Sequence, residues 1–323
     1  MPTVFRTVPT ALAGVLLLAA CGSESLSEAP AGTEVSCPSE LRQGSRPSGS
    51  PTPIPLPSLD GPGENGVKVT GLYACGAEFS AEFEVTNQAN EAATFTVTLG
   101  FRSASAGRVD DVEQIVASVG PGRTVKKTVG MGESLGRGAD VSGVESDVSG
   151  VEVVKVRSVP VDEASSASGP CPASGLHVYA DDGDAALGLR VVGLHLVNCG
   201  TGPYELDGYP ELEILDEDHD NVDSVRILHG TDRISTGVGG DGGPQPVVLR
   251  PGEAAQTTLA WRNTTQFGEP VNAPYVRVRA KQGARPVMVV PELDLGTTGK
   301  LGVGPWQKDE TYRDPAAAGT PRP

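Results

Sequence analysis

The sequence predicts an all-β protein, two antiparallel β-sandwiches in tandem, on three observations. Short runs alternate apolar and polar residues at period two. Turn-forming residues punctuate those runs about every ten residues. The composition is rich in glycine, 42 residues, and proline, 27, with aromatics at only 4%, which suits strands and turns better than packed helices. A length of 323 residues gives room for two domains of about 100 to 150 residues each.

The chain opens with Met1 to Thr10, carrying the single charge Arg6, and an apolar run from Ala11 to Ala20. Ten residues are too few for a membrane helix, which needs about 20, so 1–20 reads as a signal peptide. Leu18, Ala19, Ala20 and Cys21, followed by Gly22 and Ser23, resemble the lipobox of bacterial lipoproteins. That resemblance implies lipidation at Cys21: a diacylglycerol on its sulfur, acyl chains such as palmitate, and a mature chain starting there. Several chains on one residue anchor stably, each buried methylene adding about 0.8 kcal/mol. The implied location is the extracytoplasmic face of the cell membrane.

Residues 21–65 hold almost no apolar periodicity and include "RPSGSPTPIPLPS", the composition of a tether. Of five cysteines, setting Cys21 aside leaves Cys37, Cys75, Cys171 and Cys199, an even number in an oxidising compartment. Three pairings are formally open. The clustering favours Cys37 with Cys75 and Cys171 with Cys199, each inside one domain. No C-x-x-C spacing supports zinc, and no metal or other cofactor is expected.

The first sandwich is assigned to 66–159. "EFSAEFEVTN" puts Phe79, Ala81, Phe83 and Val85 on one face, and "TFTVTLGFR" does the same with Phe95, Val97, Leu99 and Phe101. The turn material "NQANEAA" between them suggests a hairpin. Further strands are expected at Val67 to Ala74, Val112 to Val119, Thr124 to Met131 and Val151 to Val159. Asp140 to Val153 is a tandem heptad copy, "DVSGVES" then "DVSGVEV", with glycine in each copy and no a/d series for a coiled coil. Gly132 to Gly136 matches the G-x-S-x-G nucleophile elbow with Ser134 as its serine. The elbow needs a helix directly after it, and "RGADVSG" is a poor start for one.

A linker at 160–170 leads to a second domain, 171–308, and a tail, 309–323, expected to be disordered. The second domain echoes the first. "LHLVNCGTGPYEL" parallels "FEVTNQANEAATF", and "VLRPGEAAQTTL" parallels "SVGPGRTVKKTV", with Pro-Gly suited to a type II turn before a strand. One sandwich plan used twice, with a longer insertion in the second copy, accounts for both echoes.

Cys171, "LVNCG" at Leu196 to Gly200, "GYP" at Gly208 to Pro210, the "ELEILD" strand, "LRPG" at Leu249 to Gly252, Trp261 and the closing "LDLGTTGKLGVGPW" together resemble a domain of unknown function common in actinobacterial secreted proteins and lipoproteins. The resemblance covers about Cys171 to Trp306. It implies an immunoglobulin-like fold and brings no catalytic residues. The first domain is similar, more distantly, to immunoglobulin-like modules of bacterial envelopes.

Within the insertion, "LDEDHDNVDS" offers Asp216, Asp218, Asp220 and Asp223 at spacings that partly mimic a calcium loop. Asn221 stands where the loop needs glycine and Ile227 where it needs a bidentate glutamate. A plain hairpin turn between "ELEIL" and "VDSVRIL" selects the same residues. Tyr204 and Tyr209 join Asp216, Asp218 and Asp220 as candidate ligand-binding residues, with Tyr275 nearby. The segment His229 to Pro246 is long for a sandwich loop, and such loops are where scaffolds place binding. His177, His195, His219 and His229 are scattered, and His195 reads as a packed strand residue.

A formal charge of −16, one unit more negative once Arg6 leaves with the signal peptide, repels phosphate backbones, so nucleic acid is not an expected partner. No nucleophile, base and orienting group can be assembled for an enzyme. The function expected is a membrane-anchored, non-enzymatic binding or structural module of the cell envelope, held by its N-terminal lipid and meeting an envelope protein or glycan. A small-ligand or calcium receptor using 216–246 is the alternative, and an envelope hydrolase the third.

Overall fold

The computed structural model describes residues 51–56, 65–75, 78–132 and 147–313, all within one compact unit, Cys37–Pro323. The segment read as a signal peptide, Cys21, most of the tether, Ser134, the first of the two tandem heptads and the end of the tail lie outside the described residues. So does the Cys37 with Cys75 pairing, which needs two side chains that are not described.

The described chain is all-β, with two single turns of 3-10 helix at Val161–Glu163 and Thr231–Arg233. The N-terminal half contains β1 Thr52–Pro53, β2 Val67–Cys75, β3 Glu78–Thr86, β4 Ala93–Ser103, β5 Gly107–Val119, β6 Thr124–Gly130 and β7 Val148–Pro160. They form two antiparallel sheets, ordered β1-β2-β3-β6 and β5-β4-β7. Both sheets feed one core: Val67 and Leu72 from β2, Phe83 from β3 and Val129 from β6 meet Leu99 and Phe101 from β4 and Val112 from β5. The alternation expected in β3 and β4 is present, except that Glu82, like Ser80, is buried on the polar face of β3. Its carboxylate accepts from the Tyr73 hydroxyl at 3.2 Å and pairs with Lys126 at 3.2 Å, so the burial is compensated.

Two expectations for this half need correcting. β3 and β4 do not form a hairpin: β3 pairs with β2 and β6, while β4 pairs with β5 and β7 in the other sheet. Period two specifies which face is buried and says nothing about which strand lies alongside. The tether is also shorter than its composition suggests. β1 lies within "PTPIPLP", with Thr52 opposite Ala74, and Ile54 donates its N–H to the Leu72 carbonyl at 2.8 Å. Proline is tolerated on such an edge strand because no outer neighbour needs its missing donor. Ile54 and Leu56, two residues apart, pack on the core.

The C-terminal half contains β8 Leu176–Ala180, β9 Asp184–Ala186, β10 Leu189–Asn198, β11 Tyr204–Leu206, β12 Glu211–Leu215, β13 Arg226–His229, β14 Val247–Leu249, β15 Ala254–Arg262, β16 Val271–Ala273, β17 Tyr275–Arg279, β18 Val287–Val289, β19 Leu293–Gly296, β20 Lys300–Val303 and β21 Gln307–Lys308. The larger sheet runs β13-β20-β15-β10-β8, with β9 and β21 also attached, and β12-β17-β18 forms another. Leu194, Leu259, Trp261, Val276 and Trp306 join these sheets in one core. β12 and β13 do not pair as a hairpin. Apart from a single bridge, Leu215 with Asn221, the chain leaves β12 and lays β13 parallel to β20.

The two halves share a strand order. β2-β3-β6 corresponds to β8-β10-β15, and the pair β4-β7 to β12-β17. The likeness extends to individual hydrogen bonds. Asn87, fully buried, donates its side-chain amide to the carbonyls of Glu91 at 2.8 Å and Val119 at 2.7 Å, and its Oδ1 accepts from Ala89 N–H at 2.9 Å. Asn198 donates to Gly202 and Leu249, both at 2.9 Å, and accepts from Gly200 N–H at 3.1 Å. The main chain of each asparagine is clasped by its Pro-Gly turn. Gly122 N–H donates to Asn87 O at 2.8 Å, and Gly252 N–H to Asn198 O at 2.7 Å. Both glycines have positive φ, 65° and 80°, as the second central position of a type II turn requires.

Candidate functional site

Three regions of the C-terminal half are built well enough to test as sites: the Asp-rich turn, the long loop after β13, and the end of the module where β9, β10 and β15 meet. In the Asp-rich turn, the Asp216 carboxylate is already used. Its Oδ1 accepts from Asp218 N–H at 3.0 Å and Asp220 N–H at 2.9 Å, the Asx geometry that short polar side chains give a tight turn. Among the described residues, no cluster of three or more histidine, cysteine or acidic side chains is placed to hold a metal ion.

That turn faces the N-terminal half. His219, at φ 66°, donates Nε2–H to the Ser158 carbonyl at 2.9 Å and meets the Tyr275 ring edge-on at 4.5 Å. The Tyr275 hydroxyl accepts from Ser158 N–H at 2.9 Å. Burial raises the Tyr275 pKa, so the group stays a neutral phenol. Leu215, Tyr275 and Met288 form a small core with Val159 and Val290. Arg157 on β7 grips Glu292 with two hydrogen bonds, 3.0 and 2.9 Å. Burial alone would raise the Glu292 pKa, but the hydrogen bonds and charge of Arg157, with Lys155, more than offset this and hold it below the ordinary value.

The connector 160–170 is therefore not a free spacer. Glu163 accepts from Arg277 at 2.8 Å, Ala164 bridges Met288, and the Ser166 hydroxyl lies 2.8 Å from His177 Nδ1. Nothing in "VPVDEASSASGP" foretells this, because two of the three partners, Arg277 and Met288, are supplied by β17 and β18, more than a hundred residues downstream.

The loop from His229 to Pro246 is folded back on β15 and β20. The Thr231 hydroxyl, buried, donates to Gly239 O at 2.5 Å, and Gln307 donates to Asp241 O at 3.2 Å. Gly240, at φ 71°, approaches Gly304 so closely that a Cβ would sit 2.9 Å from its Cα. Tyr204 lies under the Lys281 ammonium, 4.3 Å from its ring centroid, and Tyr209 stacks on His229 at 4.1 Å. The candidate residues are thus not gathered at one site: Tyr204 is on β11, Tyr209 packs beside β13, and the aspartates sit at the turn facing the N-terminal half.

An open cleft of about 460 Å³ lies at the end of the module nearest that junction, lined by Asp182, Asp184, Arg190, Trp261, Glu292 and Asp294 among others. Asp294 organises its floor. One carboxylate oxygen accepts from Trp261 Nε1–H at 2.7 Å, the other from Asn263 and Arg190, both at 3.1 Å. Asp181, beside the cleft, accepts from Gly183 and Gly193 N–H and lies 3.2 Å from His195 Nε2. His195 stacks on Tyr179 at 4.9 Å, the packed strand position expected of it. No local pattern announces the cleft, since Asp182 and Asp294 are far apart in the chain.

At the opposite end, Cys171 and Cys199 form a disulfide. It bridges the start of the module to the residue after Asn198, and so braces the asparagine clasp.

Residues 171–307 match the family described as a domain of unknown function, DUF4232. The span starts at the first cysteine of the disulfide and ends one residue beyond Trp306, which bears out the expected domain of unknown function over about Cys171 to Trp306. No curated protein matches the chain.

Proposed function

We propose that this protein is a lipid-anchored lipoprotein of the extracytoplasmic membrane face, in which two immunoglobulin-like sandwiches serve as a non-enzymatic binding or structural module of the cell envelope. The anchor is proposed from Leu18, Ala19, Ala20 and Cys21 together with the short apolar run before them. The immunoglobulin-like assignment is supported by the order β2-β3-β6 facing β4-β7, repeated as β8-β10-β15 with β12-β17.

The observation that carries the non-enzymatic reading is how the buried polar side chains are used. Asn87 and Asn198 hold turns, Thr231 closes a loop, and Thr257 donates to Gly304 O at 2.6 Å. Asn87, Asn198 and Thr257 spend these hydrogen bonds on backbone, and Thr231 adds only Asp241 of its own loop at 3.2 Å, which makes rigid scaffold rather than a reactive constellation. A scaffold of this kind presents loops from fixed strands, where recognition is commonly placed.

Phase partition tests the anchor. Wild-type protein expressed with its signal peptide enters the detergent phase of Triton X-114, and Cys21→Ser moves it to the aqueous phase. Equal partition of the two proteins would refute the lipoprotein reading.

A further inference from the structure

Five non-glycine residues among the described ones take a positive φ: Asn65, Ser118, Leu187, His219 and Glu292. Few residues other than glycine enter that region, and glutamate does so more rarely than asparagine or histidine. Three of the five have a local use. Asn65 and Leu187 each stand before a glycine in a turn, and Ser118 lies where β5 shifts register against β4. His219, at 66°, and Glu292, at 54°, are used across the junction between the halves: both hold a side chain against the end of β7.

The edge of β7 explains what they hold. β7 pairs with β4 on one side, and among the described residues no strand lies on the other. At Ser158 that outer edge is closed by side chains in place of a strand: the Tyr275 hydroxyl accepts from its N–H and His219 donates to its carbonyl, both at 2.9 Å. One residue earlier, Arg157 takes both carboxylate oxygens of Glu292 and lies 3.4 Å from Glu217, while Lys155 lies 3.2 Å from Glu292.

Glu217 and His219 belong to one turn, which is braced internally. Besides the two bonds to Asp216 Oδ1, Asp216 N–H donates to Asp220 O at 3.0 Å and His219 N–H to Asp216 O at 3.2 Å. Inside this polar rim lies the apolar centre of Leu215, Tyr275 and Met288 with Val159, and Leu215, Tyr275 and Met288 are each no more than 2% exposed. An apolar centre within a polar rim is the anatomy of a specific interface. Modules joined by a chain move relative to each other by default, and strained residues persist where their surroundings over-determine them. Two such residues serving one strand edge mark that edge as held rather than touched.

We infer that the junction locks the two sandwiches into one rigid body, with the 216–220 turn as the latch that sets their angle. The aspartates of that turn shape it, and its working side chains are Glu217 and His219. Glu292 also lines the cleft, so the cleft keeps its shape only while β7 is held, and a partner meets both sandwiches at one angle.

Amide nitrogen relaxation tests this on the full chain carrying Cys21→Ser, so that lipidation plays no part. Amides of β3 and β4 and those of β10 and β15 are expected to report one shared rotational correlation time. His219→Gly with Glu292→Gly removes both grips and leaves at each position a residue that accepts the positive φ. The times of the two halves should then separate and fall by roughly 1.5-fold, short of the roughly twofold drop of a free body half the size. His219→Gly alone should separate them in part. Cooperative melting monitored by tryptophan fluorescence should persist in the double variant, which distinguishes loss of the latch from loss of fold. Should that variant unfold, Lys155→Gln with Arg157→Gln makes the test from the other side of the junction, and the same separation is expected. Distinct times in the starting protein, or one unchanged shared time in the variants, overturns the inference. Neither result bears on the phase partition of the wild type.

Discussion

Replacing Asn198 by alanine removes three hydrogen bonds at once, and the structure says which of them matter. The Gly200 N–H and the Gly202 carbonyl are near solvent and recover water. The Leu249 carbonyl is not: Leu249 is fully buried, and a buried acceptor stripped of its donor costs about 1 to 3 kcal/mol. Adding about 1 kcal/mol for the two exchanged bonds gives roughly 3 kcal/mol in all. With a urea dependence of about 1 to 3 kcal/mol per molar, the unfolding midpoint falls by about 1 to 3 M. The assay is selective because both tryptophans of the chain, Trp261 and Trp306, lie in the C-terminal half, so their fluorescence follows that half alone. Asn87→Ala makes the matching lesion in the N-terminal half, which has no tryptophan. It should lower the circular dichroism transition by a similar amount and move the fluorescence midpoint less than half as far. A change in the Asn198→Ala fluorescence midpoint equivalent to less than about 0.5 kcal/mol would refute the claim that these asparagines are the shared clasp.

Further outcomes follow from the same contacts. Replacing Cys171 and Cys199 by serine opens a loop closed across 28 residues, for which the chain-entropy relation gives about 3.6 kcal/mol; the fluorescence-monitored melting temperature should fall accordingly. Tyr275→Phe strands the Ser158 N–H at the junction and should cost about 1 to 2 kcal/mol, read as a wider gap between the fluorescence and dichroism transitions. Because the folded Glu292 pKa lies below the ordinary glutamate value, its pairing with Arg157 is fully present above about pH 4.3 and is lost as the pH falls through the depressed value. Glu292→Gln should therefore flatten stability against pH in that acid window and leave the slope near neutrality unchanged.

How far the fold was legible depends on which physical signal each element leaves in the sequence. The strands of the N-terminal half were placed to within a few residues, because Phe79 to Val85 and Phe95 to Phe101 alternate cleanly across a half-buried sheet. The repeated asparagine and Pro-Gly motifs were legible as a pair, since a type II turn needs glycine at one position whatever surrounds it. Partnership was not legible. Period two is satisfied equally by a hairpin and by a crossing to the opposite sheet, which is why β3 and β4, and again β12 and β13, were expected to pair. β1 escaped notice because its prolines outweigh Ile54 and Leu56 in composition. A spacing of two between those apolar residues was the available signal.

The candidate site was less legible than the fold. The aspartates at 216, 218 and 220 attracted attention by chemistry alone, whereas their place is set by where β12 ends and by what Ser158 offers across the junction. Glu292 drew none, since a glutamate between strands is ordinary until its φ is known. The cleft needs Asp182, Trp261 and Asp294 brought together by register across β10, β15 and β19, which no local pattern encodes.

The central claim is that this β scaffold works while tied to a membrane by its first mature residue. Intact-mass spectrometry of the protein extracted from membranes tests it most directly. A chain beginning at Cys21, heavier than its polypeptide by a diacylglyceryl group, is the result the account predicts. An unmodified N-terminus located beyond residue 21 would contradict it.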